Sequence, residues 1–163
     1  MARFIRLLYR VLFGILAAIF GPNKTAKQKS IHEANSLASQ PIHHWPSLGY
    51  FEFDVVGESY YQSNLKQIAG DHGKQSAEVT TIATLMPDND NKFDKNAVRI
   101  LVAGRTVGYL TREDAPRFRR RLSSCKLGST ALTTCDALVV GGFAKKNGDT
   151  ASYGLQLDIK PFD

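Results

Sequence analysis

The chain has 163 residues, with 21 Lys and Arg against 15 Asp and Glu and a formal charge of +6. That length fits one compact domain rather than two large ones, and 43% hydrophobic with 22% charged residues excludes a disordered, collagen-like or rod-like chain. Two cysteines exclude a scaffold built on disulfides.

The excess charge sits at the start of the chain. Residues 1–30 contain Arg3, Arg6, Arg10, Lys24, Lys27 and Lys29 and no acidic residue, which leaves 15 basic and 15 acidic groups in the remainder. Phe4 to Phe20 is apolar apart from Arg6 and Arg10, and the charge-free run from Val11 to Phe20 is about half a membrane span. At about 100° per residue, Arg3, Arg6, Arg10 and Gly14 fall on one narrow stripe, with Phe4, Leu7, Leu8, Leu12 and Phe13 on other faces. Residues 1–21 are therefore expected to form a basic hydrophobic helix, with three readings: a helix lying in the membrane plane, a short spanning anchor, or a helix packed on protein. The exit Ala18-Ile19-Phe20-Gly21-Pro22 lacks the small residues two apart that a signal-peptide cleavage site needs, and Pro22 ends the helix. Residues 22–47, polar and punctuated by proline, read as a flexible tether.

From residue 48 to 163 the pattern becomes short β-like runs between turns. Phe51, Phe53, Val55 and Val56 suggest a first strand, Glu78 to Leu85 a second and Ala97 to Val102 a third. Ala103-Gly104-Arg105 turns the chain into Thr106 to Leu110, a tight hairpin. Thr111 to Leu122 reads as a short basic helix capped by Thr111, and the last strands lie near Ala131 to Val140 and Ser152 to Ile159. Six short strands with one or two helices, and no βα alternation, predict a mainly β fold: a small closed or partly open barrel.

A neutral body cannot coat nucleic acid by bulk attraction, which rests on neutralising phosphates, so any binding requires a local site. Gly70-Asp71-His72-Gly73-Lys74 lacks phosphate-loop spacing, and Cys125, Cys135 and the four histidines (His32, His43, His44, His72) lack structural-zinc spacing. No metal, cofactor or catalytic constellation is expected. Three patches do carry chemistry. Gly57 to Gln62 contains adjacent Tyr60 and Tyr61, of which at most one is easily buried. Pro87 to Ala97 is a turn-rich stretch around Phe93, which is either a plug for the loop or a stacking platform; Asp94 and Asn96 are either turn caps or ligand-binding groups. Arg112, Arg117, Arg119, Arg120, Arg121 and Lys126 form either a solvated face or a phosphate-facing ridge.

At these residues the sequence resembles the HIRAN domain, a small module found alone in bacteria and fused to helicase-like ATPases in eukaryotes. The resemblance lies in Val55-Val56-Gly57 with Tyr60-Tyr61, in Asn91-Lys92-Phe93-Asp94-Lys95-Asn96-Ala97-Val98 and in Val107-Gly108-Tyr109-Leu110, covering roughly residues 50–122. It implies a modified OB-like barrel that captures the 3′ end of single-stranded DNA, stacking bases on aromatics and reading the terminal hydroxyl with an aspartate. Carried onto this chain, it implies a nucleic-acid site of Tyr60, Tyr61, Phe93, Asp94, Lys95, Asn96 and Arg112. Tyr60 and Tyr61 would be one aromatic wall and Phe93 the other, where the DNA-binding member has a tyrosine. Asp94 would accept the hydroxyl, and Arg112 would replace a phosphate-contacting lysine. Ser59 stands where that member has an arginine, and Lys92 where a proline is common.

The expected protein is a binding module without catalysis, held at the cytoplasmic face of a membrane through residues 3–20 and partnered by a single-stranded DNA end. The rival expectation is a membrane-associated protein-interaction module, with an unidentified protein partner, that has lost DNA binding. Deleting residues 2–20 is expected to move the protein from the membrane fraction to the soluble fraction. An unchanged distribution on fractionation would refute the anchor.

Overall fold

The computed structural model describes residues 40–162. The expected N-terminal helix and most of the expected tether lie outside them. Among the described residues no helix is long and apolar enough to cross a membrane.

Six of the strands occur where alternating apolar residues place them, and a seventh precedes them. They are β1 (His43–His44), β2 (Phe53–Asp54), β3 (Ala77–Pro87), β4 (Val98–Val102), β5 (Arg105–Tyr109), β6 (Thr133–Gly141) and β7 (Tyr153–Asp158). β3 is the longest and sits centrally, antiparallel to β6 along Ala77 to Leu85 and to β4 along Ala83 to Pro87. The sheet order is β2-β7-β6-β3-β4-β5. The β4–β5 connection is a two-residue turn in which Ala103 (φ 48°) and Gly104 (φ 73°) are both left-handed, the conformation that matches the twist of a tight hairpin.

The chain closes this sheet on itself. β2 pairs with β7 at one edge, and two residues later Val56 exchanges both backbone hydrogen bonds with Tyr109, at 2.9 Å each, on the opposite edge strand β5. The expected continuous strand from Phe51 to Val56 is therefore broken into two pairings, because one short segment serves both edges; Phe51 itself is left-handed (φ 49°). The result is a mainly β, antiparallel half-barrel with two short helices, α1 (Gln62–Ala69) and α2 (Asp114–Ser124).

α2 starts as its sequence dictates. The Thr111 hydroxyl accepts the Asp114 N–H at 3.0 Å and donates to the Asp114 carboxylate at 2.7 Å, while the Thr111 carbonyl accepts from Ala115. Ala115, Phe118 and Leu122 then fall on one face and are fully buried. They meet Leu65 of α1 and the inward side chains Leu85, Val98, Ile100, Val102, Val107, Val139, Leu155 and Leu157 in a single core. The 3₁₀ turn before α1 (Glu58–Tyr61) lies in the stretch from Gly57 to Gln62 that reads as loop, and α1 itself occupies sequence whose pattern assigns no element. Its burial of Leu65 and Ala69, four apart, explains the helix.

Pro41 to Ser47, expected as tether, belongs to the folded body. β1 runs parallel to β6, pairing His43 with Thr133 and His44 with Thr134. Trp45 is buried, donates its indole N–H to Thr133 at 2.9 Å and packs edge-on against Phe118. One buried tryptophan outweighs the polar composition around it.

Cys125 and Cys135 are free thiols; burial, then the charges of Asp136 and Asp158, push the Cys135 thiol up to about 12. Asp158, buried at the end of β7, organises the segment after β1. Its carboxylate accepts from the Ser47 hydroxyl (2.5 Å) and from the N–H groups of Leu48 (2.8 Å), Gly49 (2.7 Å) and Tyr50 (3.2 Å). Left-handed Gly49 (φ 78°) allows three successive amides to converge on one anion. Burial alone would raise this carboxyl, but the hydroxyl and the three amides override it and hold the group at about 2, below its ordinary 3.8. The associated stability is complete above the ordinary value and lost as pH falls towards 2. Asp158→Asn is expected to cost about 1–3 kcal/mol in denaturant unfolding at neutral pH, with the difference from the parent shrinking in acid. Equal stability at neutral pH would show that the converging amides do not need the charge.

Candidate nucleic-acid interface

A groove of about 640 Å³ opens beside the Val56–Tyr109 closure, lined on one side by the turn carrying Tyr60 and Tyr61 and on the other by the loop carrying Asn91, Phe93 and Asp94. Tyr109, Leu110 and Arg112 line it between them.

The first wall begins at Gly57, whose left-handed conformation (φ 80°) turns the chain out of its pairing with β5. The chain lies so close to β5 here that a Cβ on Gly108 would collide with Val55 and the Val56 carbonyl, which accounts for glycine at 108. The 3₁₀ turn is then fastened to β7. Glu58 accepts the Leu155 N–H at 2.5 Å, while the Gln62 side chain donates to the Tyr153 carbonyl (2.9 Å) and accepts the Tyr153 N–H (2.8 Å). Burial raises the Glu58 carboxyl, as does Asp54, against the lowering effect of the Leu155 N–H. On this support Tyr60 projects its ring into solvent, 87% exposed. Tyr61 leans inward, its ring 6.4 Å from that of Tyr109. Burial first, and then the hydrogen bond to Tyr109, raises the Tyr61 hydroxyl, so it stays neutral beside any phosphate.

The second wall is a polar loop with almost every turn bonded. Asp88 N–H donates to Ala97 (2.8 Å) and closes the neck. The Asn91 carboxamide oxygen accepts both the Phe93 and Asp94 N–H groups (3.0 and 3.1 Å), and its NH₂ donates to Asp88 (3.3 Å). Arg119 reaches from α2 and braces the back of the loop, donating to the carbonyls of Asn96 and Ala97 (both 2.9 Å) and to the Asn89 side chain (2.8 Å). The loop is therefore held without help from Phe93, whose ring is 90% exposed. Asp94 accepts the Asn96 N–H through Oδ1 (2.8 Å). Its Oδ2 takes no hydrogen bond from the described residues.

Of the seven residues expected to form the site, Tyr60, Tyr61, Phe93, Asp94 and Arg112 line this groove. Lys95 and Asn96 are exposed outside its lining, and Asn96 caps and braces the loop through its backbone. The basic residues of the third patch do not act as one ridge. Arg119 is consumed by the loop, Arg121 donates to the carbonyls of Lys160 and Pro161 and lies 4.5 Å over Phe162, and Arg117 pairs with Asp114 at 3.7 Å. Tyr109 enters only through the resemblance, Asn91 through the resemblance and the Pro87–Ala97 stretch, Asp88 only through that stretch, and Arg99 is not singled out by the sequence. A β-bulge between Ile100 and Leu101 sets Arg99 opposite Tyr109 rather than Gly108, and nothing in the sequence marks that shift. Among the described residues no group of three or more His, Cys, Asp or Glu side chains could hold a metal ion.

A half-barrel whose open side carries exposed rings on two braced supports is the architecture of an OB-like binding module. The chain belongs to the HIRAN domain family, whose model matches residues 48–137. HIRAN domains generally bind nucleic acid, single-stranded DNA in particular. The match includes every residue that lines the groove but ends within β6, so β7, which fastens the first wall, lies beyond it. No curated protein and no solved structure matches the chain.

Proposed function

We propose that this protein grips the free 3′ end of single-stranded DNA in the groove, as a binding module without catalysis of its own. The observation that carries the reading is the pairing of two exposed rings, Tyr60 and Phe93, with the unbonded carboxylate oxygen of Asp94 in one groove. Two rings left in water on facing walls of one groove, on supports that do not need them, offer a stacking surface.

Stacking a base on such a ring contributes about 1–3 kcal/mol and tolerates any base, since every base has a π face. A carboxylate is a poor neighbour for phosphate but a good acceptor for a hydroxyl. Asp94 would thus take the hydrogen bond of a terminal 3′-hydroxyl and repel a 3′-phosphate. Arg112 would neutralise a phosphate further along the strand. The raised, neutral Tyr61 hydroxyl adds no charge against that strand. The basic apolar segment 3–20 would hold the module at the cytoplasmic face of a membrane, a reading supported by its sequence alone, and DNA processing or repair is the setting in which free ends arise.

Residues 41–47 are part of the body, so the full chain is the right material for the test. It is expected to bind a single-stranded oligonucleotide ending in a 3′-hydroxyl more tightly than the same strand ending in a 3′-phosphate. Equal affinity would remove Asp94 from its role, and no binding to either would favour the protein-interaction module. Phe93→Ala should weaken binding of the 3′-hydroxyl strand by about 1–3 kcal/mol while leaving unfolding unchanged. Unchanged affinity, or a fall in stability, would make the ring a plug.

A further inference from the structure

We propose that Arg99 is the positioning residue of the groove: it holds the DNA-reading loop and the tyrosine wall at one spacing while touching no DNA. The inference rests on the DNA-end reading above and deepens it.

Arg99 projects from β4 and does not line the groove. Its Nη2 donates to the buried Asp88 carboxylate at 2.7 Å, and its guanidinium carbon lies 6.0 Å from the centre of the Tyr109 ring. On one side this chain of contacts continues from Tyr109 to Tyr61. On the other, the same Asp88 oxygen takes the Asn91 NH₂, and the Asn91 oxygen fixes the amides of Phe93 and Asp94. A single side chain therefore connects the wall that stacks to the loop that reads the terminus.

Two features separate this from ordinary ion pairing. The Arg99 Nε is buried without a hydrogen-bond partner, and a donor left in that state is destabilising. A site shaped by stability alone would satisfy that group or replace it with an apolar one. The geometry also favours a planar cation, because a guanidinium can stack on the Tyr109 ring while its fixed fork aims a donor at Asp88, whereas a lysine ammonium has neither plane nor fork.

The test compares Arg99→Lys and Arg99→Met with Asp158→Asn, which lowers stability outside the groove. Amide hydrogen exchange is read in the free full-length proteins, and affinity is read for 3′-hydroxyl and 3′-phosphate single strands over a range of salt. Both Arg99 variants are expected to exchange the Phe93 and Asp94 amides about tenfold faster while the β3–β6 ladder amides keep their protection. The hydroxyl-to-phosphate affinity ratio should fall about tenfold in both Arg99 variants and hold in Asp158→Asn. The slope of log affinity on log salt should stay at the parent value. Retained amide protection and ratio in Arg99→Lys would overturn the proposal. So would a slope smaller by about 0.7, the signature of one lost phosphate contact to a single strand. If the parent protein shows no preference between the two ends, the DNA-end reading fails by itself, and the exchange rates alone decide whether Arg99 positions the loop.

Discussion

The pair of backbone hydrogen bonds between Val56 and Tyr109 is the constraint on which the site depends. It closes the half-barrel, forces Gly57 to turn the chain outward and seats the 3₁₀ turn of Tyr60 and Tyr61 beside β5. The same strand sits against β4, which leads back to the Asp94 loop. Both walls of the groove are thereby hung from one hairpin. Gly108 is the sequence's concession to this closure, since any side chain there would push the two edges apart.

Each wall is braced from behind rather than from within. Glu58 and Gln62 tie the turn to β7, and Arg119 ties the loop to α2, so the exposed rings of Tyr60 and Phe93 are free of structural duty. The arrangement suits recognition that depends on stacking. Backbone supports already held in place lose little conformational entropy when a base arrives. Under the proposed function an electrically balanced body would meet a polyanion locally: the groove offers π faces and one directed carboxylate, with positive charge supplied by Arg112.

Much of this was legible in the sequence. Period-two patterns located six strands, Thr111 announced α2, and the motifs around Tyr60, Phe93 and Tyr109 pointed to the groove. What escaped was set by long-range contacts. Trp45 and the His43–His44 strand looked like tether because their partners lie some ninety residues away in β6. α1 goes unassigned in the sequence because only Leu65 and Ala69 mark its buried face. The arginines on and before α2 read as either a solvated face or a phosphate-facing ridge, yet carbonyls from other segments draw Arg119 and Arg121 to structural tasks and leave Arg112 to the groove. The bulge that sets Arg99 against Tyr109 has no compositional mark at all.

A crystal structure of the full chain with a short single strand ending in a free 3′-hydroxyl tests the central claim most directly. The account requires the terminal base against the Phe93 ring, Tyr60 on the facing side, and the 3′ oxygen within hydrogen-bond distance of the Asp94 carboxylate. A strand lying along the outer face of α2, or one whose 3′ end points away from Asp94, would contradict it.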